Sequence, residues 1–167
     1  IAAFLKLSTR KNGSKTIASR IASAYIDIIR GTPTTVQLLI MWSGILATCK
    51  NSVLIASLTF GINSGAYVAE IVRAGILAVD KGQMEASRSL GLSYGKSMRL
   101  VVIPQAIRTM IPSIINQFII TLKDTSILSV IGFPELTNMG KTISGNTFKS
   151  LQTWAIVGIM YMVIIIT

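Results

Sequence analysis

The 167-residue sequence has no histidine, a single cysteine, four prolines and few aromatics, 7% of the whole. Without histidine or a second cysteine no zinc-ligand cluster can be assembled, and neither a disulfide nor a Cys-based metal site is available. Cys49 therefore reads as a small apolar residue in a span. Acids are scarce too, with six Asp and Glu against sixteen Lys and Arg and a formal net charge of +10. Nor does any segment reach the run of about eighteen apolar residues that marks a span by hydropathy alone.

What is present is apolar bulk: 51% of residues are hydrophobic and the mean hydropathy is +0.64. Apolar and basic together fit two classes, a nucleic-acid binder with a basic face or a membrane protein with basic cytoplasmic loops. No aromatic stacking signature accompanies the charge, so the membrane reading holds and nucleic acid is excluded as a partner.

The spans must then be partly polar-faced. Candidates are 34–49, 53–79, 98–122 and a last one from Trp154 onward, while Ile1 to Leu5 reads as the end of an earlier span. No signal cleavage site follows it. Residues 8–30 carry Arg10, Lys11, Lys15, Arg20 and Arg30 against Asp27 and are amphipathic at helical spacing, which places them along the membrane surface. The positive-inside rule puts this arm and the 80–97 loop, with Lys81, Arg88 and Lys96, in the cytoplasm. The connection 123–150, with Gly132, Pro134, Gly140 and Gly145, belongs at or beyond the outer face. No repeat or linker divides the chain, which reads as one all-α membrane domain.

The stretch from Glu85 to Pro104, EASRSLGLSYGKSMRLVVIP, puts a charged two-part helical loop between apolar segments. Gly82 suits the cap of a short helix from Gln83 to Leu90, Glu85 falls in its first turn, and Gly91 takes the terminating position. Ser93 caps a second helix. Ala86 and Leu90 share one face, Glu85 and Arg88 another. Such a segment is either an ordinary hairpin of two helices or a docking loop.

Glu85, Ala86, Ser87, Gly91 and Ile103-Pro104 resemble the cytoplasmic EAA loop of ATP-binding-cassette importer permeases, with Ser87 where the pattern has alanine. Arg30-Gly31-Thr32-Pro33, Val36-Gln37-Leu38, GAYVAEIVRAGI from Gly65 to Ile76, Lys81-Gly82-Gln83, Pro104-Gln105-Ala106 and Lys123-Asp124-Thr125-Ser126 narrow the resemblance to the polar amino-acid permeases. It implies a polytopic transmembrane helical bundle, this chain being a fragment of a subunit with about five spans, in the bacterial cytoplasmic (inner) membrane. It further implies two ATPase subunits, a second permease subunit that is identical or homologous, and an extracytoplasmic amino-acid-binding protein. No cofactor would be bound by this chain, ATP and Mg residing on the ATPase. Gly82, Glu85, Ala86, Ser87, Leu90 and Gly91 would form the ATPase-coupling contact.

Inside the spans, Ser57, Gly61, Gly65 and Ala69 make a small-residue stripe for close helix approach, with Asn63, Tyr67 and Glu70 on a different face. A carboxylate in hydrocarbon is costly, so Glu70 is either functional or half of a structural pair with Arg73 or Arg108. Gln105, Arg108, Pro112 and Asn116 fall near one stripe leading to Lys123, and Pro104 and Pro112 each remove a backbone donor. At Lys123, Asp124, Thr125 and Ser126 a broken backbone beside paired charge would offer donors and acceptors to a zwitterion. Asn63, Tyr67, Glu70, Arg108, Asn116 and Lys123 to Ser126 are thus the substrate-path candidates.

GLSYGKS at Gly91 to Ser97 is one residue short of a phosphate-binding loop and follows no strand, and the chain has no nucleophile and base pair, so it is not an enzyme. The alternative to an ATP-driven importer is a secondary carrier or channel that uses Glu70 or Asp124 without an ATPase.

Overall fold

The computed structural model describes residues 16–166, all helix or turn with no strand among them. The expected span end at Ile1 to Leu5, and the arm as far as Lys15, lie outside the described residues.

Helix α1, Ile17–Gly31, buries Ser19, Ala22 and Ile26 at helical spacing, while Ile17, Ile21 and Ile28 form an exposed apolar stripe opposite. The amphipathic pattern thus resolves into two apolar faces, separated by exposed Arg20 and Asp27. Thr32 and Pro33 stop it, because the residue before a proline avoids helical geometry. Pro33 then caps α2, Thr34–Ile40, whose start is tied by Gln37 Nε2 donating to Thr32 Oγ1 at 2.7 Å. A π-turn, Met41–Ile45, prolongs α2. The run Thr34–Ile45 is about 18 Å long, well short of a hydrocarbon core of about 30 Å. Cys49 lies in the turn beyond it, packed on the Leu38, Ile55, Ala56 and Leu128 cluster, rather than within a helix.

Helix α3, Ser52–Leu77, runs 26 residues, about 39 Å. Helix α4, Lys81–Ser89, follows after a short turn. Helix α5, Tyr94–Ser97, passes through a second π-turn, Met98–Val102, into α6, Ile103–Asp124, and a 3₁₀ turn, Thr125–Ile131. The expected second helix of the loop is therefore the first turn of a continuous 38-residue helix, Tyr94–Ile131. This helix and α3 are the two among the described residues that are long and apolar enough to cross a membrane.

The connection beyond Lys123 is mostly helical. Gly132, at φ 74°, ends the 3₁₀ turn, and α7, Leu136–Thr147, opens on Glu135, whose carboxylate accepts from the amides of Thr137 and Asn138. Helix α8, Ser150–Ile166, exposes Ile156, Ile159, Met160, Met162, Val163 and Ile164. Apolar residues all round a helix are what a lipid or protein surround requires.

The helices fall into two compact units, one of 16–31 with Asn63–Gln117 and one of Thr32–Ile62 with 118–166. In the first, Ile26 and Ala69 form a small core with Tyr25 and Val72. Gly75 admits Met110 of α6, since a Cβ there would stand 2.2 Å from Met110 Cγ. Of the small-residue stripe, Ala69 packs on Ile26 and Gly65 meets the Tyr25 hydroxyl, whereas Ser57 and Gly61 are exposed. The close approach to α6 is made by Gly75, one turn and a half past that stripe.

Candidate functional site

The 80–97 loop is built on two caps. Asp80, not Gly82, opens α4: its Oδ1 accepts from the Gly82 amide at 2.7 Å. A Cβ on residue 82 would sit at that same 2.7 Å from Oδ1, so Gly82 is what lets the cap close. Because α4 starts at Lys81, its first turn contains no acid, and Glu85 stands two residues further into the helix than the sequence suggested.

At the other end the Gly91 amide donates to Arg88 O at 3.0 Å and the Leu92 amide to Ser87 O at 3.3 Å. Gly91 has φ 86°. This crossed pair is the Schellman termination, which needs a residue in the left-handed region and favours glycine there.

Glu85, Ala86, Arg88 and Leu90 are exposed, Leu90 at 84%. Ser87 is instead buried, its hydroxyl donating to Met84 O at 2.9 Å. Of the six loop candidates it is the one turned inward, and α4 packs on α5 and on the π-turn behind it.

A second polar cluster surrounds Glu70. Arg73 Nε donates to Glu70 Oε1 at 3.0 Å, and Arg30 Nη1 stands 4.0 Å from the same oxygen. The Arg30 guanidinium also lies over the Tyr67 ring, 5.4 Å from its centroid, the geometry of a cation–π contact. The sequence offered Arg73 or Arg108 as partner to Glu70. Arg73 takes that place and Arg30 joins it, while Arg108 is exposed on α6. Nearby, burial pushes the Tyr25 phenol above its ordinary range, and Asn63 is buried at 4%.

On α6, Val102, Ala106, Met110 and Gln117 are buried, so Arg108, Pro112 and Asn116 lie exposed on the remaining face. Among the described residues no ion pair joins Lys123 to Asp124, and the backbone there tightens from α to 3₁₀ rather than breaking. Thr125 Oγ1 donates to Leu122 O at 2.6 Å, which seals that transition. Lys123 is exposed, and Asp124, Thr125 and Ser126 are half-buried.

Four further polar contacts join residues far apart in the sequence. Tyr161 of α8 donates to Glu135 Oε2 at 3.0 Å and lies 3.2 Å from Thr137 Oγ1; a tyrosine in an apolar run seeks such a partner. Lys141 Nζ reaches Ser129 Oγ at 3.1 Å. Gln105 Nε2 donates to Gln83 Oε1 at 3.1 Å.

Residues 2–167 match the family of binding-protein-dependent transport system inner membrane components. The chain belongs to that family. It is 42% identical over 153 residues to the glutamine transport system permease protein of Escherichia coli (strain K12), covering 89% of this chain and 69% of that protein. It is 37% identical over 149 residues to the arginine transport system permease protein of Bacillus subtilis (strain 168), covering 87% and 68%. A crystal structure of an amino acid ABC transporter with histidines superposes with a TM-score of 0.87 at 42% identity, over 99% of this chain and 76% of that one. As a member of this inner membrane family the chain is an all-α transport component with the fold of an ABC importer permease.

Proposed function

We propose that this chain is the permease subunit of an ATP-driven importer of polar amino acids, spanning the bacterial cytoplasmic membrane several times. The observation that carries this is the doubly capped helix Lys81–Ser89, with Glu85, Ala86, Arg88 and Leu90 exposed, set between two helices long enough to cross a bilayer. The relatives named for glutamine and arginine, and the related transporter crystallised with histidines, support an amino acid as substrate.

In this reading two permease subunits, identical or homologous, form the pathway. Two ATPase subunits hold ATP and Mg beneath them, and an extracytoplasmic binding protein delivers the amino acid. Glu85, Ala86 and Leu90 contact the ATPase; Asp80, Gly82, Ser87 and Gly91 hold the helix in shape. Displacement of α4 by the ATPases rocks the long helices between outward and inward access. The zwitterion meets exposed Lys123 and the half-buried Asp124, Thr125 and Ser126 side chains, where the helix tightens from α to 3₁₀; Asn116, exposed on α6, is a separate candidate. The Tyr67 and Glu70 cluster, with both arginines engaged on one carboxylate, sets the charge of the wall formed by α3. The exposed stripe Ile17, Ile21 and Ile28 faces lipid, consistent with an arm in the interface.

The test is uptake of labelled amino acid into vesicles carrying this chain with its binding protein, with and without the ATPase subunits and ATP. Uptake only with both supports the importer. Uptake driven by an ion gradient without the ATPase establishes the carrier instead.

A further inference from the structure

The exposed coupling helix is useful as a lever only if its motion reaches the membrane helix behind it. The connection α4 makes along the chain is poor for this purpose. It runs through Leu90, Gly91, Leu92 and Ser93, with Gly91 in the left-handed region and Ser93 providing no side-chain cap to the next helix. A turn of this kind bends rather than pushes.

A second connection bypasses the turn. Gln105, in the first turn of α6, splits its amide between two acceptors: Nε2 donates to Gln83 Oε1 on α4 at 3.1 Å and to the Val101 carbonyl at 3.1 Å. The group has two N–H bonds, so both contacts can be made at once.

Val101 lies in the π-turn Met98–Val102, where the Ile103 amide reaches back to Met98 O. Pro104 follows it, bringing no N–H to the ladder and a ring that crowds the carbonyl four residues before. The wider turn relieves that crowding. A π-turn holds an extra residue relative to the α-helix around it, which makes it a place where a helix changes direction.

We propose that Gln105 is a positioning residue for transport: it clamps the coupling helix, through Gln83, to the π-turn at the head of α6. Movement of α4 is thereby delivered to the Met98–Val102 π-turn instead of being absorbed at Gly91. This rests on the reading of the 80–97 loop as the ATPase contact.

The test uses the complete transporter, with its ATPases and binding protein, in vesicles. The readout is amino acid taken up per ATP hydrolysed, together with recovery of the assembled complex. Gln105→Met removes both donors, and Gln83→Met removes the acceptor. Loss of one hydrogen bond of ordinary strength predicts a fall in uptake per ATP of about fivefold in Gln83→Met, and at least as much in Gln105→Met, which also loses the Val101 bond, with ATPase subunits still bound and hydrolysing. The double variant should fall no further than Gln105→Met alone, since Gln105→Met already removes the Gln83 contact. Gln83→Glu keeps an acceptor and should retain the wild-type ratio.

An unchanged ratio in Gln83→Met or Gln105→Met overturns the proposal, as do effects that add in the double variant. So does loss of ATPase binding in Gln83→Met alone, which would make Gln83 a partner contact. If Glu85→Arg leaves the ratio unchanged, the loop reading itself fails, whatever the glutamines do.

Discussion

Arg73 closes one turn of α3 onto Glu70, its Nε donating to Oε1 at 3.0 Å. The carboxylate side chain is 18% exposed and the Arg30 side chain, 4.0 Å away, is 41% exposed. The two arginines thus hold the same oxygen with unequal grip.

Glu70→Gln leaves both guanidiniums without their charge partner and should cost about 1–3 kcal/mol. Arg30→Gln breaks a long, solvated ion pair and an exposed cation–π contact with Tyr67, for which about 1 kcal/mol together is expected. Apparent melting temperatures of the purified complex rank the variants, with Glu70→Gln lowest and Arg30→Gln nearest wild type. Equal losses from both would show that Arg30, not Arg73, dominates the pair.

Gly75 and Met110 give a prediction of opposite sign in two backgrounds. In the wild type, Gly75→Ala drives a methyl group to 2.2 Å from Met110 Cγ, and overpacking of this kind costs about 1–3 kcal/mol. With Met110→Ala already present the clash is gone, and the better helix propensity of alanine, worth about 1 kcal/mol, should make the same substitution neutral or stabilising. Thermal unfolding of the four proteins checks it; additive losses would mean that α3 and α6 do not touch at Gly75.

The loop helix should depend on the backbone at Gly91. A side chain at φ 86° costs about 1–2 kcal/mol for alanine and less for asparagine, which tolerates the left-handed region. Hydrogen exchange of the Gly91 and Leu92 amides, bonded to Arg88 O and Ser87 O, should accelerate in Gly91→Ala and much less in Gly91→Asn. Similar rates in both variants would argue against the Schellman termination.

Much of this was readable from residues alone. The glycine at position 91 announced a helix end, the alternation of basic loops with apolar stretches announced membrane helices, and the Glu85 block announced the family. Register was harder. Asp80 lies outside the Glu85 motif, and a glycine at position 82 suits a cap equally well, so the motif alone places the helix start two residues late. Ser93 and Tyr94 resemble the start of a separate helix because polar residues interrupt the pattern there, yet the π-turn carries the helix without a break into α6.

Side-chain pairings across elements were the least visible. Arg30 and Glu70 are 40 residues apart, and a glutamine pair separated by 22 residues has no signature in periodicity or composition. Tyr161 sits in an apolar run, and its partner Glu135 lies 26 residues away in a different element.

Uptake and ATP hydrolysis measured together, in vesicles bearing the assembled transporter with Glu85→Arg, test most directly whether α4 couples a separate ATPase to amino-acid import. Glu85 is exposed on α4, and among the described residues its carboxylate makes no hydrogen bond or ion pair that reversal of its charge would break. The expected result is a subunit that reaches the membrane and a collapse of uptake per ATP hydrolysed. Undiminished uptake at the wild-type ratio would contradict the assignment of this loop as the place where the ATPase acts.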